Sequence, residues 1–146
     1  MKDVIFIDMD GTIADFVGAI ERVVESPAEK CHEALEKGFY RNLKVIKGAQ
    51  EAVALLEKHF DVYIATKPKN ANPHCIPEKL EWIEEHFPSL RKKVFFTPNK
   101  DLLRGYALID DHKKWSGFNG EFILFNAKED NWNILSIEIL NEYYGA

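Results

Sequence analysis

The sequence predicts an α/β fold built on a central parallel sheet of five strands. Short apolar runs recur along the chain, and segments with helical spacing of apolar residues separate them. Strands that alternate with helices favour a parallel sheet with right-handed crossovers. Polar side chains lie at the ends of several runs, and in such sheets ligands bind at the carboxyl ends of the strands. We therefore expect a Rossmann-like three-layer sandwich with a site at that edge.

The first apolar run, Val-Ile-Phe-Ile at residues 4–7, leads directly into Asp-Met-Asp-Gly-Thr at residues 8–12. An entirely apolar run is typical of a strand buried on both faces, and buried carboxylates need a positive group beside them. Asp8 and Asp10 lie two positions apart, so along an extended chain they face the same way. An Asp-x-Asp-Gly segment is also a common surface turn. Its position after a buried strand instead favours a site for a magnesium ion and a phosphate group.

Residues 15–45 are predicted to form a small helical cap inserted after the first strand. Apolar residues at helical spacing begin this segment: Val17, Ile20 and Val23. Ser26 is typical of a helix N-cap, and the helix that it starts is predicted to continue to about residue 37 and to end at Gly38. Three aromatic residues of the cap are candidates to face the site, although each singly fits an ordinary core residue: Phe16, Phe39 and Tyr40.

The rest of the chain continues the alternation of helices and strands. The predicted helices are residues 48–59, 78–87 and 131–144. The predicted strands are residues 62–66, 94–97, 107–111 and 122–125. A loop rich in proline and asparagine, residues 67–77, follows the second strand. Together with the first strand these elements give one domain, residues 1–146, which is an ordinary size for a single domain.

Asp8, Thr66 and Asp110 all lie at the carboxyl ends of predicted strands. Because such ends meet at one edge of a parallel sheet, we expect these side chains to converge. The pair Asp110-Asp111 is the strongest later signal, since two acids directly after an apolar run are unusual in a plain core strand. Thr66 alone also fits a simple strand-end residue, and Lys100 fits one of many surface lysines.

The composition and net charge argue against several classes of protein. The net charge of −5 argues against a partner that is a nucleic-acid polymer. No apolar run approaches the roughly 20 residues that a membrane span needs, and the chain starts directly into a strand without a signal region. Cys31 and Cys75 lack CxxC spacing, which favours free thiols and a cytoplasmic location. Their neighbours His32 and His74 do not give the usual spacing of a zinc site.

Residues 8–12, Thr66, Lys100 and residues 108–111 together resemble the four-motif signature of the haloacid dehalogenase-like (HAD) phosphohydrolases. The order and strand context match over nearly the whole chain. A closer resemblance is to the 5′(3′)-deoxyribonucleotidases. It rests on four segments: residues 38–43, 78–87, 99–101 and 108–125.

The resemblance implies a role for each motif residue. Asp8 would be the nucleophile and form an aspartyl-phosphate that water then cleaves. Asp10 would give a proton to the leaving oxygen and take one from that water. Thr66 would bind a phosphate oxygen, and Lys100 would pair with Asp8 and the phosphoryl group.

The resemblance also implies a bound Mg²⁺. Its ligands would be Asp8, the carbonyl oxygen of Asp10 and Asp110, with Asp111 in support. Four carboxylates and a phosphate dianion cannot share a site unaided. The ion and Lys100 would offset most of this repulsion and stabilise charge on the phosphoryl oxygens.

The resemblance implies a (deoxy)nucleoside monophosphate as substrate, and the candidates to bind it are Phe16, Phe39, Tyr40 and Lys67. The chain departs from these nucleotidases in its shorter cap, in Lys67 where serine is common, and in Pro98 where arginine is common. A HAD phosphatase for another small phosphorylated metabolite is therefore an alternative, as is a non-catalytic phosphate-binding relative. A signalling phosphoacceptor domain is disfavoured, because in that class the acidic pair ends the first strand. The oligomeric state stays open, a homodimer included.

Overall fold

The computed structural model of the protein describes residues 1–23, 36–115 and 117–145. The strands are β1 (Val4–Ile7), β2 (Asp61–Thr66), β3 (Val94–Phe96), β4 (Arg104–Asp110) and β5 (Asn119–Leu124). They form one sheet in the order β3-β2-β1-β4-β5, and every pairing is parallel. The predicted five-stranded parallel sheet is therefore confirmed. The chain adds strands on one side of β1 and then on the other, so the order reverses between β1 and β4. This is the position where open α/β sheets bind ligands.

Four helices lie in the described residues. They are α1 (Phe16–Val23), α2 (Ala49–Glu57), α3 (Cys75–His86) and α4 (Trp132–Tyr144). Helix α3 begins three residues before its predicted start, because Pro77 fits in the first turn of a helix, where its missing N–H is not needed. The predicted second helix of the cap, residues 27–37, lies almost entirely outside the described residues, so the cap as a unit stays a prediction. None of the described helices is long and apolar enough to cross a membrane.

Consecutive side chains of β1 face opposite sides of the sheet. Ile5 and Ile7 belong to the larger core, to which all four described helices contribute. Phe6 belongs to a smaller core on the other face, with Trp115 and Phe118 from the connection between β4 and β5. In the described residues the third layer is therefore formed by connections with short 3₁₀ turns instead of α-helices. Burial on both faces explains why β1 is entirely apolar.

The register of the sheet sets the position of the polar residues that follow the strands. Ile7 pairs with Ile64 of β2 and with Ile109 of β4. The next residue, Asp8, donates its backbone N–H to the carbonyl oxygen of Ile109 at 2.9 Å. Asp8 and Asp110 therefore leave the sheet side by side.

Candidate active site

Three carboxylates meet at the carboxyl ends of β1 and β4. One oxygen each from Asp8, Asp110 and Asp111 lies within 4.8 Å of the others. Asp8 and Asp110 are almost fully buried, with exposed fractions of 6% and 1%. Such a cluster of buried carboxylates needs positive charge to be stable. The predicted convergence of strand-end acids is present in the structure.

Lys100 supplies part of this charge. It lies in the 3₁₀ turn Lys100–Leu102. Asn99 caps the start of this turn, because its side-chain oxygen accepts the backbone N–H of Asp101. The Lys100 ammonium donates to Asp8 Oδ1 at 2.7 Å and to Asp110 Oδ2 at 2.6 Å. The hydroxyl of Thr12 donates to the other oxygen of Asp8 at 3.3 Å. Both oxygens of Asp8 are therefore held by side chains of the site.

The lysine of the cluster does not offset the burial of its carboxylates. Burial raises the pKa of Asp8 well above its ordinary value, and Lys100 only partly opposes this rise. Burial lowers the pKa of Lys100, but the charges of Asp8 and Asp110 outweigh it and raise the pKa overall. Burial also raises the pKa of Asp111 to about 6. A cation placed among these carboxylates would favour their ionised forms.

The residues present fit a divalent metal ion with oxygen ligands. Oδ1 of Asp111 is buried and has no hydrogen-bond partner among the described residues. An unpaired buried carboxylate oxygen beside two further carboxylates is the donor set that Mg²⁺ prefers. Asp10 is the fourth predicted metal residue, but its carboxylate forms an ion pair with Lys79. Its predicted part in metal binding concerns its backbone carbonyl oxygen and stays a prediction.

Gly11 allows the turn after β1 to approach Asp111. Its φ is +84°, a conformation that residues with a side chain rarely adopt. A Cβ atom at this position would lie 2.1 Å from Oδ2 of Asp111, which is far closer than atoms can approach. The positive φ of Gly11 and its contact with the Asp111 carboxylate therefore both disfavour a larger residue at this position.

A second buried lysine, Lys79 of α3, lies against Asp10 and Thr66. Its ammonium donates to Thr66 Oγ1 at 2.6 Å and forms an ion pair with Asp10 Oδ2 at 2.9 Å. The sequence motifs do not include Lys79. A signal for it exists nevertheless, because Lys79 shares the helix face of Cys75, Trp82 and Ile83, all of which are buried. A lysine on the inner face of an amphipathic helix indicates a buried partner.

The neighbouring Glu78 is also buried and holds the segment that ends the predicted cap. Its carboxylate accepts the backbone N–H groups of Gly38 at 2.7 Å and of Tyr40 and Arg41 at 3.2 Å each. Sequence reasoning did not identify Glu78 either, although it is adjacent to Lys79. Helix α3 therefore positions the loop at residues 38–41 and the catalytic candidates through two consecutive residues.

The three aromatic candidates form one cluster. The ring centroids of Phe16 and Phe39 are 5.6 Å apart, those of Phe39 and Tyr40 5.3 Å, and those of Phe16 and Tyr40 6.2 Å. Phe16 and Tyr40 line the same cavity as Asp8, whose volume is about 390 Å³. Phe39 packs against both rings and does not line this cavity. Lys67 is exposed and lines the cavity.

The fold defines the class of protein. A HAD-like hydrolase from Xanthomonas campestris superposes on this protein with a TM-score of 0.60 at 13% sequence identity. The superposition covers 99% of this chain and 94% of the hydrolase chain. A candidate HAD-type hydrolase of Bacillus subtilis, solved bound to magnesium, gives a TM-score of 0.59 at 12% identity, with 89% of both chains covered. The protein therefore has the fold of the HAD-like hydrolases.

The sequence comparisons define the family. Residues 27–138 match the family described as 5′ nucleotidase, deoxy (pyrimidine), cytosolic type C protein (NT5C). A candidate 5′(3′)-deoxyribonucleotidase of Staphylococcus epidermidis is 35% identical, over 86% of this chain and 84% of its own length. The 5′(3′)-deoxyribonucleotidase of Bacillus subtilis strain 168 is 30% identical, over 97% of this chain and 95% of its own length. The chain belongs to this deoxyribonucleotidase family of HAD-like enzymes, which are phosphoric monoester hydrolases, and the resemblance seen in the sequence is confirmed.

Proposed function

We propose that the protein is a Mg²⁺-dependent nucleotidase that hydrolyses deoxynucleoside monophosphates through an aspartyl-phosphate on Asp8. The observation that carries the proposal is the setting of Asp8. It lies at the switch point of the sheet, is held by Lys100 and Thr12, and lines the cavity that also contains Thr66 and Lys67. The names of the relatives support the nucleotide as substrate.

In the first half of the reaction, an oxygen of the Asp8 carboxylate attacks the phosphorus atom. The bond between phosphorus and the nucleoside oxygen breaks, and that oxygen leaves as an alcohol after it takes a proton from Asp10. Lys100 lies within hydrogen-bond distance of Asp8, so its ammonium can also stabilise negative charge on the phosphoryl oxygens.

In the second half, a water molecule attacks the phosphorus of the aspartyl-phosphate and gives its proton to Asp10. Inorganic phosphate leaves and the Asp8 carboxylate is restored. Asp10 suits both proton transfers, because its side chain lines the cavity and its carboxylate is oriented by the ion pair between Oδ2 and Lys79. Its side chain is 23% exposed, so it can reach a molecule in the cavity.

Asp8, Asp110, Asp111 and the carbonyl oxygen of Asp10 are the proposed ligands of the metal. When bound, Mg²⁺ would offset the charge of the carboxylates and of the phosphoryl oxygens. The raised pKa of Asp8 makes this important, because a protonated carboxyl group is a poor nucleophile.

Phe16 and Tyr40 are the proposed contacts of the base, with Phe39 as their support. Stacking on aromatic side chains contributes about 1–3 kcal/mol per base, which is enough to favour nucleotides over simple sugar phosphates. Lys67, Lys69 and Lys114 also line the cavity, and none of them forms an ion pair with another described residue. Their charge suits a phosphate dianion. We also propose a cytoplasmic location, in keeping with the free thiol of Cys75.

A phosphate-release assay over a panel of monoesters tests the proposal. The panel is dUMP, dTMP, UMP, a sugar phosphate and p-nitrophenyl phosphate, each with Mg²⁺ and with EDTA. We expect release only with Mg²⁺ and the highest kcat/KM for the deoxynucleotides. If p-nitrophenyl phosphate is hydrolysed as efficiently as the nucleotides, the enzyme is a phosphatase for another metabolite. Full activity in EDTA, after removal of bound metal, would refute the metal requirement.

A further inference from the structure

We propose that Lys79 is a positioning residue that orients Asp10 and Thr66 for the reaction. This inference rests on the proposed function, and it concerns a side chain outside the four sequence motifs. Lys79 lies beside the phosphate cavity and does not line it. Its effect on the reaction therefore passes through the two residues that it holds.

The contacts of Lys79 leave its ammonium no freedom. A lysine ammonium has three N–H donors and no acceptor. Lys79 Nζ lies 2.6 Å from Thr66 Oγ1, 2.9 Å from Asp10 Oδ2 and 3.2 Å from the carbonyl oxygen of Lys67. These three acceptors match the three donors, and the side chain is only 1% exposed. The ammonium is therefore fixed at the meeting point of β2, α3 and the turn after β1.

The first consequence concerns the proton that Asp10 must transfer. Because Oδ2 is held by the ammonium, the rotation of the Asp10 carboxylate is restricted. The Asp10 side chain lines the cavity that contains Asp8. Lys79 therefore fixes the orientation in which the Asp10 carboxylate can exchange a proton with the leaving oxygen and the attacking water.

The second consequence concerns the hydroxyl of Thr66. The lysine can only donate, so the Thr66 oxygen must accept in this bond. The hydrogen of the hydroxyl then remains available to donate to a phosphoryl oxygen. The same ammonium therefore fixes the direction of the hydrogen bond that the proposed phosphate-binding residue makes.

The surroundings of Lys79 keep the charge in place. The Tyr40 ring lies over the ammonium, with 5.2 Å between Nζ and the ring centroid, a distance typical of a cation–π contact. Tyr40 is itself held by Glu78, which accepts its backbone N–H at 3.2 Å. A buried ammonium is stable because each of its donors has a partner. Removing the ammonium would leave the side chains of Asp10 and Thr66 free to rotate.

The test compares kcat/KM for two substrates in Lys79→Met. The alcohol leaving from dUMP needs a proton, whereas p-nitrophenolate leaves well without one. We expect a loss of about 100-fold for dUMP, the size of a lost general acid, and only a few-fold for p-nitrophenyl phosphate. Asp10→Asn should show the same pattern, and adding Lys79→Met to it should cost little more, because the two residues act together.

Lys93→Met is the matched control, since Lys93 also pairs with an aspartate, Asp61, but lies away from the cavity. We expect both substrates to keep their kcat/KM in this variant. An equal loss for both substrates in folded Lys79→Met, or no loss for either, overturns the proposal. A wild-type enzyme without phosphatase activity would instead refute the proposed function, so the two failures are distinguishable.

A crystal structure of the wild-type enzyme with Mg²⁺ and vanadate gives a test that does not depend on how the variant folds. We expect Lys79 Nζ to keep its bonds to Asp10 and Thr66, and Thr66 Oγ1 to contact a vanadate oxygen. Direct contact of Lys79 with vanadate would overturn the proposal, because the lysine would then be a catalytic residue.

Discussion

Lys100 and Asp8 are 92 residues apart in the chain, yet the Lys100 ammonium donates to Asp8 Oδ1 at 2.7 Å in the buried centre of the site. The same ammonium holds Asp110 at 2.6 Å. The pair therefore joins the end of β1 to the end of β4, and it lies where the strand order reverses.

Replacing Lys100 with methionine should abolish activity and weaken the metal-free fold. The change removes the cation shared by Asp8 and Asp110, both of which are buried. Breaking a buried ion pair from one side costs about 3–5 kcal/mol, although protonation of Asp8 would recover part of this. Urea denaturation in EDTA measures the free energy of unfolding.

Lys128→Met serves as the control for that experiment. Lys128 also pairs with an acid, Glu21, but its side chain is 73% exposed. Exposed pairs contribute about 0–1 kcal/mol, so this variant should unfold like the wild type. Equal stability losses in the two variants would contradict the burial argument.

The stabilising effect of Mg²⁺ should depend on pH. Burial raises the pKa of Asp111 from its ordinary value of 3.8 to about 6. Between these values the folded metal-free protein binds more protons than the unfolded chain, so the contribution of this group is lost as the pH rises through about 6. Mg²⁺ needs the ionised carboxylates. We therefore expect Mg²⁺ to raise Tm more at about pH 7.5 than at about pH 5.

Asp111→Asn should reduce this difference, because it removes one of the carboxylates for which protons compete with the metal. The measurement is a thermal melt of each protein with Mg²⁺ and with EDTA at both pH values. The same rise in Tm at the two pH values in the wild type would argue against a metal bound to these carboxylates.

Glu78→Ala should raise KM for nucleotides and leave p-nitrophenyl phosphate less affected. The Glu78 carboxylate accepts three backbone N–H groups in the loop that carries Phe39 and Tyr40. Its loss leaves these groups unpaired, which should cost about 1–3 kcal/mol of stability. Glu81→Ala is the control, because Glu81 is 62% exposed and pairs with Arg41 at the surface. Similar KM values in both variants would exclude this role of the loop.

The residues at the strand ends could be predicted because their signal is local. Asp8 follows an apolar run, and Asp110 ends another, so parallel strands had to bring them to one edge. Lys100 was identified through its resemblance to a family motif. The structure adds the register of Ile7 with Ile64 and Ile109, which no single segment of sequence determines.

Lys79 and Glu78 could not be assigned from the sequence, because their partners come from distant segments. The apolar face of α3 separates Lys79 from the exposed Glu81 and Glu84, but only the tertiary fold shows which groups Lys79 and Glu78 contact. The start of α3 at Cys75 was missed because a proline such as Pro77 fits both a loop and the first turn of a helix. Phe39 was a candidate to face the site, and its ring packs against those of Phe16 and Tyr40 without lining the cavity, so its contact with the substrate stays a prediction.

The most direct test of the central claim is phosphate release from dUMP by Asp8→Asn in the presence of Mg²⁺. The amide cannot form the aspartyl-phosphate. It also removes one of three clustered carboxylates, so the variant should fold and its metal-free form should be at least as stable as the wild type. We expect no turnover above background with an unchanged circular dichroism spectrum. Phosphatase activity like that of the wild type in purified Asp8→Asn would contradict the account.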